Sequence, residues 1–185
     1  RLPDGPTERD IALWFTERIV ETLRARRFDE LQPVASPFPP ALGAGELMLA
    51  EGPCELSTFR PVGDGSYVQR STAVLPLGRG GLGLAAGALL AQGVANRRRR
   101  AAAAAAATPR WVVGDGGTLW VATHGFYLQT ARGLYPWPWQ SIAAAELVGP
   151  GQVHLQGTSD GGQVSWIIGS KWAELLFALW AMVNH

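Results

Sequence analysis

The part of the chain that most constrains its fold runs from residue 118 to the C-terminus, where strand patterns precede a very apolar helix. Apolar and polar residues roughly alternate in 118–123 and 125–130, and aromatic and β-branched types dominate, as in half-buried strands. Between them, His124-Gly125 predicts a tight reversal in which glycine takes a positive φ. Residues 133–139 contain two prolines, which cannot donate to a ladder, so we expect an edge strand or one paired on a single side.

Three further strand patterns follow, at 142–148, 152–156 and 163–168. Glycine-rich turns at 149–151 and 159–162 separate them, so that each strand lies one hairpin from the last. This spacing favours an antiparallel meander.

The chain closes with a predicted helix over 170–184, with Ser170 as N-cap and Glu174 in the first turn, where the helix dipole favours a carboxylate. One face follows the spacing of a buried helix. Its members are Trp172, Leu175, Leu176, Leu179, Trp180 and Val183. The opposite face is also apolar and contains Phe177, Ala178, Ala181 and Met182. We therefore expect this second face to pack on another element of the chain or to bind a partner, including another copy.

The N-terminal region, 1–32, contains a predicted amphipathic helix that begins with an approximate capping box over 7–10. Its apolar positions are Ile11, Trp14, Phe15, Ile19 and Leu23. This helix is predicted to pack on the domain and is the nearest candidate to cover the closing helix. The alternative is a membrane-surface or partner-binding helix, although its polar face mixes both charge signs. Residues 33–45 contain four prolines and are predicted to form an extended linker.

The middle of the chain carries an unusual insertion, at about 80–108, which is predicted to be one long helix. A strand pattern at 72–75 and a G-x-G-x-x-G match at 78–83 precede it. Because no acidic residue occurs from 66 to 114 to hold a ribose hydroxyl, we predict no dinucleotide cofactor. The helix includes Arg97-Arg98-Arg99-Arg100 followed by seven alanines, and proline 109 stops it. The arginines are interpreted either as a solvated face of a packing helix or as a cluster that attracts anionic lipid.

These residues resemble a known family. The sequences of residues 119–128 and 137–147 are similar to strands of the pleckstrin-homology-like fold, particularly its GRAM-like and bacterial branches. The resemblance covers about 110–185, with 46–56 as a plausible first strand. It implies an α+β fold for 46–185, in which an antiparallel sheet or partly open barrel is capped by a C-terminal helix. It also implies a module that binds lipid headgroups or peptides. Between 46 and 72 only Arg60 and Arg70 are basic, which favours a protein partner over phosphoinositide.

Composition excludes several classes of activity. The formal net charge is +1, and the four arginines have no aromatic stacking motif beside them, so no specific nucleic-acid binding is predicted. Cys54 is the single cysteine, and the three histidines do not form a metal-ligand pattern, so we predict no disulfide and no metal site. His154 is interpreted as a hydrogen-bonded sheet residue, since no catalytic pattern accompanies it.

The sequence therefore predicts a non-enzymatic scaffold or adaptor that binds a protein partner or itself and needs no cofactor. The alternative is a peripheral membrane module that uses the insertion, and a small-molecule enzyme or carrier is a third hypothesis. No signal peptide is recognisable, and we expect a cytoplasmic location, with peripheral contact to the inner face of the membrane in the alternative. Because the chain starts at Arg1, it is expected to be a fragment or a processed product.

Overall fold

The computed structural model describes residues 5–60, 97–98, 101–102, 104, 108–159 and 162–184. The chain divides into two compact units, one made of 1–58 and 113–185 and the other of 59–112. The predicted strand at 72–75, the glycine motif at 78–83, and Arg99 and Arg100 all lie outside the described residues.

The described residues form an α+β fold with an antiparallel sheet, as predicted. The N-terminal helix is α1 (Glu8–Arg24) and the C-terminal helix is α2 (Ala173–Asn184). The strands are β1 (Met48–Arg60), β2 (Arg110–Ala122), β3 (Gly125–Thr130), β4 (Gly133–Pro138), β5 (Ile142–Gly149), β6 (Gln152–Ser159) and β7 (Gly162–Gly169). Short 3-10 turns occupy Phe28–Glu30 and Trp139–Ser141.

Among the described strands the order across the sheet is β4-β3-β2-β1-β7-β6-β5, and the sheet does not close. The first strand therefore pairs with the last, with Glu55 opposite Gly169. The predicted meander is confirmed from β2 to β7, because each strand pairs with the next except across the turn between β4 and β5.

The prolines of β4 act as predicted. Pro136 lies opposite Tyr127 and Pro138 opposite Gly125, so β4 pairs with β3 on one side and stands at the edge of the described sheet. A proline is tolerated there because its missing N–H faces away from any ladder.

The expectation of a positive φ at Gly125 is wrong. The positive-φ glycines of the described chain are Gly45, Gly133, Gly151 and Gly162. Gly125 is instead needed for a close approach, because a Cβ there would lie 2.1 Å from the carbonyl oxygen of Trp137. The β2–β3 hairpin itself forms as predicted, with Val121 opposite Phe126.

Both faces are buried at the end of β2 and at the start of β3. On one face, Leu119 and Val121 belong to the main core, which α2 covers. On the other face, Trp120 and Tyr127 form a second core with Met48 and Ala122. Residues packed on this second core are Val34, Phe38 and Leu42, all from the proline-rich segment.

The proline-rich segment 33–45, predicted as a linker, thus lies across the sheet as a strap. Phe38 packs on Tyr127 with ring centroids 4.9 Å apart and on Trp120 at 5.6 Å. The amides of Ala41 and Leu42 donate to the Tyr127 hydroxyl at 2.7 and 3.2 Å. The prolines keep the strap extended, while its apolar residues pack on the sheet.

Helix α2 begins at Ala173, three residues after the predicted N-cap. The Ser170 hydroxyl accepts from the Trp172 amide at 3.4 Å, as an N-cap does, and also donates to the carbonyl oxygen of Pro53 at 3.0 Å. Leu175, Leu176 and Leu179 are buried as predicted. Val183 is 48% exposed, which corrects its place on the buried face; it lies in the last turn, at the border of a pocket.

Helix α1 begins as predicted, with a complete capping box between Thr7 and Asp10. It ends at Arg24, one residue after the last apolar position of the pattern, and Arg26 then takes a φ of 55° and reverses the chain. The helix packs against α2, and an ion pair between Arg9 and Glu174 joins their first turns.

Candidate interaction site

The face of α1 that the chain buries matches the predicted face only in part. Its buried residues are Ala12, Thr16 and Val20, spaced four apart on one stripe. Small side chains at a contact allow two helices to approach closely. Ile19 and Leu23 remain partly buried against the main core. The bulkier apolar residues Ile11, Trp14 and Phe15 are consequently left outside.

The orientation of α1 is fixed by polar contacts at its start. Glu174 accepts from Arg9 and from the Gly151 amide at 3.1 Å, so it joins α1, α2 and the β5–β6 turn. Burial alone raises the pKa of Glu174, but the hydrogen bonds from Arg9 and Gly151 reverse this and lower it. A second pair joins Lys171 to Glu8 at 3.3 Å. These contacts hold the helix in the orientation that exposes its aromatic residues.

The exposed apolar residues of α1 form a cluster, which we call the α1 patch and define as Ile11, Trp14, Phe15 and Arg18. The first three are 45%, 50% and 45% exposed. The Trp14 and Phe15 rings meet edge to face with centroids 4.9 Å apart, and the Arg18 guanidinium lies 4.9 Å from the Trp14 centroid. Edge-to-face pairs and cations over indole rings are both favourable geometries, which stabilise this arrangement of the patch.

A groove of about 550 Å³ borders the α1 patch. One wall is α1, the opposite wall is the start of the strap, and β1 supplies Leu49, Ala50 and Glu51. Phe15 and Arg18 belong to both patch and groove, so the two form one surface. Its lining is mainly apolar, with Arg18, Glu30 and Glu51 as charged groups of both signs. This composition suits a peptide with apolar anchors and polar flanks better than a ligand of one charge.

A second pocket, of about 470 Å³, lies at the C-terminal end of α2. Most of its lining is apolar, and His124 is its titratable side chain. The lining residues are Leu23, Phe28, Gly45, Leu47, Thr123, His124, Trp139, Leu179, Met182 and Val183. His124 Nδ1 lies 3.1 Å from the hydroxyl oxygen of its neighbour Thr123.

The residues singled out on the second face of α2 are half-buried. Phe177, Ala178, Ala181 and Met182 all pack against the main core, and Phe177 meets Trp180 with ring centroids 6.1 Å apart. Of this set, Met182 also reaches the pocket at the end of the helix.

The arginine cluster is described in part. Arg97 and Arg98 are helical and exposed, and Ala101, Ala102 and Ala104 continue as exposed helical residues. Thr108 closes the last turn through its amide, which donates to the Ala104 carbonyl oxygen at 3.2 Å. No helix in the described part of the chain combines the length and apolar content needed to cross a bilayer.

Reactive side chains are dispersed. His154 Nε2 lies 2.8 Å from Ser165 Oγ on the neighbouring strand, the hydrogen-bonded sheet position proposed for this histidine. Burial raises the pKa of the Cys54 thiol, which disfavours the nucleophilic thiolate. Across residues 5–60, 108–159 and 162–184 no three His, Cys, Asp or Glu side chains meet in a metal-binding group.

No family model, curated protein or solved structure matches the chain. The α1 patch was missed because periodicity places Ile11, Trp14 and Phe15 with the core residues Ile19 and Leu23. The signal that would have revealed it is the neighbouring stripe of smaller residues, spaced four apart on the same helix. A count of hydrophobicity ranks this stripe below the aromatic face.

Proposed function

We propose that this chain is a non-enzymatic interaction module with a pleckstrin-homology-like fold, and that it binds a protein partner through the α1 patch and its groove. The observation that carries the proposal is the exposure of Trp14 and Phe15 beside a concave surface of about 550 Å³. Contiguous exposed apolar surface with a polar rim is typical of sites for protein partners.

The fold assignment is supported by three features together. The sheet is an antiparallel meander, its first strand pairs with its last, and a C-terminal helix covers its inner face. The resemblance of 119–128 and 137–147 to this family implies the same arrangement.

A protein is favoured over a lipid surface by the chemistry of the patch. Trp and Arg are the side chains that most often dominate the energy of protein interfaces, and here Trp14 and Arg18 are already in contact. The polar face of α1 carries Glu8, Glu17 and Glu21 as well as arginines, and anionic lipid would repel the carboxylates. Such a module would act in the cytoplasm.

The test is site-specific photo-crosslinking from position 14, with position 135 as control, because Tyr135 is an exposed aromatic on β4. We expect position 14 to give a discrete protein adduct that position 135 does not. The purified adduct partner should then bind the double variant Trp14→Ala, Phe15→Ala at least about tenfold more weakly than the wild-type chain.

An adduct between two copies of the chain would identify the partner as the chain itself, and sedimentation of the same double variant should then show less dimer. The absence of a discrete adduct from position 14, or unchanged affinity in the double variant with its circular dichroism preserved, refutes the proposal.

A second candidate, peripheral binding to an anionic membrane, is favoured by the exposure of Arg97 and Arg98 on helical backbone. Basic residues near such a surface contribute about 1 kcal/mol each. Flotation with vesicles containing phosphatidylserine separates the two functions. Binding that disappears when Arg97 to Arg100 are all replaced by glutamine supports the membrane function, and absent or unaffected binding excludes this form of it.

A further inference from the structure

The pocket at the C-terminal end of α2 has the properties of a site for a small apolar molecule. Trp139 and Leu179, both buried, form its floor, and the exposed side chains of Phe28 and Val183 stand where it opens to the surface. Its volume of about 470 Å³ lies within the range of roughly 300–1,000 Å³ that is usual for small-molecule sites. The described residues that line it include no Asp, Glu, Lys or Arg.

The backbone polar groups beside this pocket are paired within the protein. The Trp139 indole N–H donates to the carbonyl oxygen of Thr123, and the Trp139 amide donates to that of His124, both at 3.1 Å. The Thr123 amide donates to the carbonyl oxygen of Leu47 at 3.0 Å. The Leu47 amide in turn donates to the Thr123 hydroxyl at 3.1 Å. These residues therefore contribute apolar surface to the pocket, and the His124 imidazole is the polar group left to bind a ligand.

Two contacts orient the His124 imidazole. Because the Thr123 hydroxyl oxygen already accepts from Leu47, its hydrogen can point to His124 Nδ1, which lies 3.1 Å away. In that arrangement the neutral imidazole carries its own hydrogen on Nε2. Gly43 lies against one face of the ring, since a Cβ there would be 2.8 Å from Cδ2. The ring thus offers the pocket its other face and the edge that carries Nε2.

Nε2 is the unused donor of His124. Within the described part of the chain no hydrogen bond engages it, and it is not among the buried polar atoms that lack a partner, so it has surface open to a ligand. A hydrogen bond to a charged acceptor is roughly twice as strong as one to a neutral acceptor. A donor beside an apolar pocket therefore matches an anionic acceptor on an apolar body, and it does not match an ammonium group.

We propose that this pocket binds a hydrophobic carboxylate whose oxygen accepts from His124 Nε2. The apolar body of the ligand lies along Trp139, Leu179 and Met182. The flexible thioether of Met182 suits ligands of more than one shape. Two sources supply this chemistry, an alkyl acid and an aryl acid. The site is separate from the proposed protein-binding surface, because no residue of the α1 patch lines it.

The experiment is an NMR titration of the full chain, with the His124 imidazole and the Trp139 indole N–H as reporters because both contact Thr123. The probes are hexanoate for the alkyl acid and phenylpropionate for the aryl acid. Acetate is the control without an apolar body, and hexylammonium is the control with the same alkyl chain and the opposite charge. We expect saturable shifts with at least one probe, and affinity at least about tenfold weaker for both controls.

The matched variants are Val183→Glu and Val148→Glu, which introduce the same charge at an exposed valine of the pocket and at an exposed valine on β5. Val183→Glu should weaken carboxylate binding at least about threefold through charge repulsion, whereas Val148→Glu should bind as the wild-type chain does. His124→Ala, which removes the donor, should weaken it at least about tenfold.

Tighter binding of one probe identifies whether the ligand is an alkyl or an aryl acid. Shifts that saturate for neither carboxylate, or equal binding by hexylammonium, overturn the site. Unchanged affinity in His124→Ala with its circular dichroism preserved also overturns it. Where His124→Ala fails to fold, the two control probes and the valine variants decide the question.

Discussion

The Tyr127 hydroxyl is the contact that joins the strap to the sheet, so removing it tests how the strap is held. It donates to Glu46 and accepts from the amides of Ala41 and Leu42. In Tyr127→Phe the ring still packs on Phe38, but the Ala41 amide loses its partner and Glu46 loses a charge-assisted bond. A bond to a charged group contributes about 1.5–3 kcal/mol and a neutral one about 1 kcal/mol. We expect the free energy of unfolding to fall by about 2–4 kcal/mol.

The same change should alter how the free energy of unfolding depends on pH in the alkaline range. Burial, together with the neighbouring Glu46 carboxylate, raises the pKa of Tyr127 above its ordinary value of 10.0. The folded state therefore favours the protonated phenol, and the stability it contributes is complete below pH 10 and is lost as pH rises through the folded pKa. Tyr127→Phe removes this component, so its stability should depend less on pH above about 10.

The assay is urea unfolding followed by tryptophan fluorescence at neutral pH and at several alkaline pH values, with m-values compared to confirm one transition. The control is Tyr135→Phe, the same chemical change at an exposed position on β4, which should cost less than about 0.5 kcal/mol. If Tyr127→Phe loses no more free energy of unfolding than the control does, the strap does not depend on this hydroxyl. The same conclusion follows if the pH dependence of stability in the alkaline range is unchanged.

Three further outcomes follow from the same geometry. Gly125→Ala places a Cβ about 2.1 Å from a carbonyl oxygen of β4. It should destabilise the chain by more than about 2 kcal/mol in thermal unfolding. The control, Gly5→Ala, should leave stability unchanged, because a Cβ there has nothing within 4 Å. Glu174→Gln should make the free energy of unfolding depend less on pH in the acid range. The pKa of Glu174 is lowered in the folded state, so its contribution, present above about pH 4.5, is lost as pH falls through the folded pKa. An acid dependence identical to that of the wild-type chain would contradict the role of its pairing with Arg9. Cys54 should react with a thiol reagent at the rate of unfolding, because it is buried and its pKa is raised; fast labelling of the native chain would contradict this.

The proposed interaction surface has one consequence for the strap. Residues 33 and 34 border the groove beside α1. The start of the strap is thus a wall of the groove, and weakened binding at the α1 patch in Tyr127→Phe would be the expected sign that the Tyr127 hydroxyl supports this wall.

Much of the sheet was predictable because its signals are local. Alternation over 118–130 and glycine turns such as Gly151, at a φ of 68°, depend on neighbours in sequence, and the structure retains them. The edge position of β4 was equally readable, since a missing N–H has the same consequence in any sheet. The capping box at Thr7 is likewise a contact between residues three apart.

The rest was set by contacts between residues far apart in sequence. Four prolines predict an extended segment, but its packing on Trp120 and Tyr127 depends on the second face of β2 and β3 being apolar. Nothing local in 33–45 indicates that its Phe38 faces the sheet. The alternating pattern of β2 was read as one buried face, whereas Trp120 and Ala122 are buried on the other.

The sequence by itself determined the two terminal helices, the strands from residue 118 onward, and the need for the apolar C-terminal helix to be covered. It did not determine the start of β2, which lies at Arg110 and not at 118. Only the tertiary structure decided which face of α1 covers it. The aromatic face offers more apolar area, yet Ala12 and Thr16 are the buried residues, and the ion pair between Arg9 and Glu174 joins the first turns of the two helices in that orientation. Trp14 and Phe15 are therefore on the surface, and periodicity cannot report this, because it measures how apolar a face is and not how closely its neighbour approaches.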